Sequence, residues 1–194
     1  MKRLVWLLAA CLAAPVWADG VQITKGMPQA EVPLPEGGAA VIARNQDPEN
    51  RIEGEWAKTS RACPPFCIQP MTPAEGVTTI GELELIAMLQ DPQAVVVDSR
   101  VPSDYETGTI AGSISIPYTE AADRLDELGC EVDFDGFDCS TGAKPVALFC
   151  NGPWCGQSPT AARKMIEAGF PAEMIHYYRG GMQVWRMLGL SVTQ

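Results

Sequence analysis

Beyond about position 74 the apolar residues fall into runs that alternate between a helical and a strand period. Thr79-Ile80-Gly81-Glu82 reads as a capping box, and Leu83, Ile86, Ala87 and Leu89 then recur at helical spacing until Asp91-Pro92 ends the run. Val95-Val96-Val97 is a short β-branched stretch of the kind buried in parallel sheets. Ile114 and Ile116, closed by Pro117, mark a further strand, and Thr119 predicts a helix through Leu128 with Gly129 at its end. Val146–Phe149 is an apolar strand that runs into a nine-residue loop, Cys150–Ser158, and then into a helix, Pro159–Ala168. Ser158 suits its N-cap and Pro159 its first position, while Ala162, Met165 and Ile166 form the inward face and Gly169 closes it. His176-Tyr177-Tyr178 is the last strand, and Arg179-Gly180-Gly181 turns into a short helix that carries Trp185.

Upstream, from Asp19 to about Pro73, periodicity fades. Pro28, Pro33, Pro35, Gly37 and Gly38 suggest an extended segment that lies on the domain or links to a protein partner, with one short strand in Gly38–Ala43. It ends in Cys63-Pro64-Pro65-Phe66-Cys67, where two prolines stiffen a small loop. That loop has one residue too many for a Cys-x2-Cys redox motif, which favours a structural bridge between Cys63 and Cys67.

The N-terminus sets the compartment. Lys2 and Arg3, the apolar run Leu4–Leu12 and the small-residue site Val16-Trp17-Ala18 predict a signal peptide over 1–18, removed to leave a soluble periplasmic chain that starts at Asp19. The run is shorter than the ~20 residues a membrane span takes, and no other stretch reads as one. Leu8-Ala9-Ala10-Cys11 resembles a lipobox, but Cys11 stands too near the N-terminus for lipidation to be the better reading. Six of the 7 cysteines then remain in an oxidising compartment. Cys130 and Cys139 flank an acidic segment with an Asp-Gly turn, which predicts a disulfide across its ends.

Charge narrows the ligands. With 24 acidic against 14 basic residues the net charge is -10, which argues against a nucleic-acid backbone as partner. No phosphate-binding loop, dinucleotide fingerprint or zinc spacing occurs, so neither cofactor nor metal is expected.

What remains is the cysteine at the end of the Val146–Phe149 strand, where open α/β sheets place their ligands. A thiolate over a helix N-terminus is stabilised by unpaired N–H groups and the positive end of the helix dipole, so the Cys150 pKa should fall below about 8.5. Gly152 and Gly156 let the loop amides converge into an anion-holding nest, with Asn151, Trp154, Gln157 and Ser158 as further candidates to touch substrate. A Cys150–Cys155 disulfide across a surface loop is the competing reading of the same pair. His176 is the one histidine, and a structural place on its strand is favoured over a catalytic one.

Three segments, in order, resemble the signatures of rhodanese domains: Val97-Asp98-Ser99-Arg100 with Asp104–Pro117, Phe149-Cys150 with its loop, and Tyr178-Arg179-Gly180-Gly181 with Trp185. The resemblance spans roughly 76–192 and implies a three-layer α/β domain over 74–194, with a central parallel sheet flanked by helices, plus the irregular extension 19–73. It also implies a sulfurtransferase whose cysteine, here Cys150, takes sulfane sulfur as a persulfide and passes it to a thiol acceptor. Asp98, Arg100, Glu106 and Arg179 match positions that support the site, with a buried Arg100–Glu106 ion pair expected. Two departures bear on substrate. The loop is about two residues longer than the family's usual form, and it holds no Arg or Lys, with Cys155 as a second thiol. The longer Cys-x4-Cys form resembles a subgroup of exported rhodanese-like proteins. A missing cation would cost a thiosulfate dianion roughly 1–3 kcal/mol, which favours persulfide or polysulfide donors. A thiol–disulfide oxidoreductase or redox sensor using Cys150/Cys155, and a non-catalytic binding module, are the alternatives.

Overall fold

The computed structural model describes residues 20–134 and 136–193. The predicted signal segment, with Cys11 and Ala18, lies outside them. No helix among the described residues is long and apolar enough to cross a membrane.

Five parallel strands form the central sheet: β3 (Thr78–Ile80), β4 (Val95–Asp98), β5 (Ile114–Ser115), β8 (Val146–Phe149) and β9 (Ile175–Tyr178), in the order β3-β9-β8-β4-β5. A hairpin, β1 (Gln29–Pro33) with β2 (Ala39–Ala43), precedes them, and a second, β6 (Glu131–Asp133) with β7 (Gly136–Asp138), lies between β5 and β8. The helices are α1 (Glu82–Gln90), α2 (Pro102–Glu106), α3 (Gln157–Glu167) and α4 (Gly181–Met187).

The period-2 geometry of a strand divides the core between the two faces of the sheet. On one face Val97, Val146, Leu148, Ile175 and Tyr177 pack with Ala161, Ala162 and Met165 of α3. On the other, Val96, Ala147, Phe149 and Tyr178 pack with Leu85, Ile86 and Leu89 of α1 and with Met182 and Trp185 of α4. β4, β8 and β9 are apolar runs because both of their faces are covered. The result is a three-layer α/β domain.

Several local expectations are corrected. Gly81, not Thr79, caps α1, its N–H donating to Glu84 Oε2 at 3.1 Å, because Thr79 and Ile80 belong to β3. The buried stripe of α1 is Leu85, Ile86 and Leu89, and Leu83 and Ala87 face solvent. The helix expected over 119–128 is a chain of turns followed by one short 3-10 turn at Leu125–Leu128. Its i to i+3 bonds (Glu120 N–H to Pro117 O, Asp123 N–H to Glu120 O) begin at Pro117, and Gly129 closes it at φ 94°. α3 starts two residues earlier than predicted, capped by Gly156, which turns Ser158 from an N-cap into a buried residue of the first turn.

Disulfides join Cys63 to Cys67 and Cys130 to Cys139, the latter across 4.3 Å between Cα atoms. The segment before residue 74 holds a hairpin where one strand was expected. Alternation in Gln29-Ala30-Glu31-Val32 buries Ala30 and Val32, which join Ile42 in the core beneath α1. Its far end is tied to the C-terminus, with Asn45 N–H donating to Gly189 O at 2.7 Å and Ser191 N–H to Ala43 O at 2.9 Å.

Candidate active site

Cys150 follows β8 directly and is 2% exposed. Two elements hold its loop. The first is α3, whose first turn carries the Ser158 hydroxyl to the Cys150 Sγ, donating at 3.1 Å. The second is α4, which caps the loop from behind: Met182 N–H donates to Cys150 O at 3.0 Å and Gln183 N–H to Asn151 O at 2.9 Å. That approach requires glycine at 181, where φ is +55° and a Cβ would collide with the Cys150 carbonyl.

Burial pushes the Cys150 thiol up. Hydrogen bonds from the Cys155 thiol, from the Ser158 hydroxyl and from the backbone amides of Ser158 and Gly152 outweigh burial and bring it down to about 7. The glycine-containing loop thus aims amides at one sulfur. Cys155 moves the opposite way. Its hydrogen bond to Cys150 raises its pKa most, followed by burial and by the negative charge on Cys150. The pair therefore holds one thiolate, on Cys150, and one thiol, on Cys155. Both cysteines are unbridged. When Cys150 is protonated its Sγ donates to Cys155 O at 3.3 Å, which leaves the Cys155 thiol to donate to Gln157 Oε1 at 3.4 Å instead.

A pH profile tests this arrangement. Thiolate is the reactive form, so alkylation of Cys150 by a small haloacetamide should be slow below pH 7, rise through about 7 and level off above it. In Ser158→Ala the profile should move to higher pH by roughly one unit, since a hydrogen bond to a charged group contributes about 1.5 kcal/mol. An unchanged profile would mean that Ser158 does not hold the thiolate.

The other candidates divide. Asn151 Nδ2 donates to Asp104 Oδ2 at 3.0 Å, at the mouth of the site. Trp154 packs edge-on against Phe66, ring centres 5.2 Å apart, under the Arg61 guanidinium at 4.4 Å. Arg179 donates to Gln69 O at 2.9 Å, and Gln69 N–H donates to Pro153 O at 2.8 Å, so Arg179 positions the Cys63–Cys67 segment against the loop. His176 lies on β9, half-buried, its pKa lowered by burial.

Arg100 does not pair with Glu106. It pairs with Asp98, two residues earlier: Nη2 reaches Asp98 Oδ2 at 2.6 Å and Nε reaches Oδ1 at 2.9 Å, both side chains almost fully buried. Nη2 also donates to Gly108 O at 2.8 Å, and Thr109 Oγ1 donates to Asp98 Oδ2 at 2.7 Å. Glu106 ends the short helix α2 on its solvent side and is exposed. A charge that close in sequence reaches Arg100 without the chain reversal that Glu106 would need.

The structure also brings in residues that the loop sequence does not indicate. Beside Cys155 a cleft of about 400 Å³ is lined by Pro65, Phe66, Asp104, Tyr118, Trp154 and Gln157, among others. Pro65 and Phe66 arrive from the extension. Asp104 is the one charged side chain in that lining, while Arg61, paired with Glu55 at 3.6 Å, lines the adjoining cleft with Asp104, Asn151 and Trp154.

Comparison with known proteins finds similarity in sequence and in structure. Over 115 residues, 59% of this chain, it is 32% identical to an HTH-type transcriptional regulator of Mycobacterium tuberculosis, of which that covers 44%. Over 105 residues, 54% of this chain, it is 30% identical to a tRNA uridine(34) hydroxylase of Teredinibacter turnerae, of which that covers 30%. The chain thus spans less than half the length of these curated relatives. A rhodanese-related protein from Thermoplasma volcanium is similar in structure, at 26% identity and a TM-score of 0.43 over 60% of this chain and 97% of that one. So is a Rhodanese_3-like domain from Anabaena sp., at 22% identity and a TM-score of 0.39 over 52% of this chain and 98% of that one. The model of the rhodanese-like domain matches residues 82–188, from the first helix through α4 and with the Cys150 loop inside it, so the chain belongs to the rhodanese-like domain family.

Proposed function

We propose that this protein is an exported, periplasmic sulfurtransferase that carries sulfane sulfur on Cys150. The observation that supports it is the Cys150 sulfur itself, buried at a strand end, ionising near pH 7 under a serine hydroxyl and two backbone amides. The Cys150 thiolate attacks the outer sulfur of a donor R–S–SH. The donor S–S bond breaks, RS⁻ leaves and takes up a proton, and Cys150 holds a persulfide. A thiol acceptor, as its thiolate, attacks the outer sulfur of that persulfide, and Cys150 leaves as the thiolate. No net oxidation occurs, so the cycle needs no cofactor.

The mouth favours persulfide and polysulfide donors over thiosulfate. The loop has no Lys or Arg, Asp104 is the one charge lining the cleft beside Cys155, and Arg61, stacked on Trp154, is already paired with Glu55, so a dianion meets a carboxylate where it would need a free cation. Initial rates of sulfur loading on the reduced protein are the test. A small-molecule persulfide should load faster than thiosulfate, and Asp104→Asn should raise the thiosulfate rate several-fold while changing the persulfide rate little. Thiosulfate loading that equals persulfide loading and ignores Asp104 would defeat this donor assignment.

A second reading rests on the proximity of the two thiols, Cys150 and Cys155, which suits a reversible dithiol. It predicts a change in disulfide state without gain of sulfur.

A further inference from the structure

A cavity whose lining shares no residue with the cleft beside Cys155 is present as well. It has a volume of about 560 Å³ and lies where the segment after β2 crosses α4 and the C-terminus, with Trp56 lining both it and the cleft toward Asn151. Three guanidinium groups line it, those of Arg44, Arg51 and Arg186, against one carboxylate, that of Glu53. In a chain of net charge -10 such a concentration of cations is out of keeping with the rest.

Their partners show what is left over. Arg44 is committed in part, with Nε donating to Leu188 O at 2.7 Å and Nη1 to Gln22 O at 3.3 Å. Arg186 stacks on Trp56, its guanidinium carbon 5.1 Å from the ring centre, and its buried Nε–H has no acceptor. Arg51 is exposed at the rim and has no carboxylate partner among the described residues. Burial, and then the charge of nearby Arg100, disfavour the Arg186 cation, which an anion would relieve. A buried donor without an acceptor costs about 1–3 kcal/mol in general, and a wall that holds one beside two further cations lacks an anion.

We propose that this cavity is a second ligand site, separate from the thiol mouth, that binds a tetrahedral oxyanion of the sulfate or phosphate class between Arg51 and Arg186. The volume exceeds that of a bare ion, so the same chemistry serves a free oxyanion or the charged end of a larger ester.

Calorimetric titration of the full chain, disulfides intact and at constant ionic strength, tests this with sodium sulfate, sodium phosphate and glycerol phosphate against sodium chloride. Saturable binding of sulfate or phosphate, absent with chloride, is expected, and Arg51→Gln and Arg186→Gln should each weaken it about tenfold or more. Equal affinity for phosphate and glycerol phosphate identifies a free-ion site, and tighter ester binding a headgroup site. Arg51 is at the surface, so Arg51→Gln folds whatever Arg186→Gln does. Wild-type affinity in Arg51→Gln, or oxyanion binding no tighter than chloride, overturns the proposal. Neither outcome depends on sulfur transfer at Cys150.

Discussion

Cys150→Ser is expected to take up no sulfur from a persulfide donor, while Cys155→Ser takes it up and holds it longer than the wild type. A serine hydroxyl at neutral pH is neither ionised nor thiophilic, so the converging amides and the Ser158 hydroxyl would have nothing to activate. Cys155 has a different part. With Cys150 ionised it is kept protonated, so it does not compete for the donor. Once the charge has moved to the outer sulfur of a Cys150 persulfide, Cys155 can give that sulfur its proton and, as the thiolate, attack the inner one. That forms the Cys150–Cys155 disulfide and expels hydrosulfide, and an external thiol reductant must then restore both thiols. Removing Cys155 stops this branch. Intact mass against time separates the roles: sulfur retained in Cys150→Ser and lost in Cys155→Ser would reverse the assignment.

Arg100→Leu is expected to cost about 3–5 kcal/mol of stability, the range for breaking one side of a buried ion pair. Asp98 is fully buried and would keep only the Thr109 hydroxyl and the Arg100 backbone N–H as donors. The lost Nη2 bond to Gly108 O would also leave that carbonyl without its side-chain donor. Urea unfolding under fixed redox conditions checks this. The double variant Asp98→Asn/Arg100→Leu should lose less than the sum of the two single changes, because each single change strands a partner. Glu106→Gln should leave the midpoint where it was. A shifted midpoint in Glu106→Gln with little change in Arg100→Leu would restore the pairing expected from sequence.

The contrast between Arg100 and Cys150 shows what the sequence made legible. Val146–Phe149 followed by a cysteine and a glycine-bearing loop could be placed at a strand end, because burial on both faces of a parallel strand leaves a continuous apolar run. The order of the three signatures gave the sheet and helix layers. Partners within the site were less accessible. Asp98 and Glu106 are both carboxylates near Arg100, and only the direction of α2 decides between them. The cap of α3 moved by two residues because Gly156 takes it without a side chain, a choice that spacing does not reveal, and the move is what frees the Ser158 hydroxyl for Cys150. The contribution of the extension was hidden for another reason. Phe66 and Arg61 reach Trp154 through a long-range contact that no local pattern encodes, although Cys63 and Cys67 marked the segment as constrained. Leu83 and Ala87 misled because apolar residues on a short helix need not all be buried.

The most direct test of sulfur carriage is peptide mapping by mass spectrometry of the reduced full chain after brief exposure to a persulfide donor and thiol blocking. One added sulfur is expected, on the peptide that carries Cys150, removed by a thiol acceptor with hydrosulfide or acceptor persulfide released. A Cys150–Cys155 disulfide that forms without any prior gain of sulfur, or an added sulfur on Cys155 alone, would contradict it.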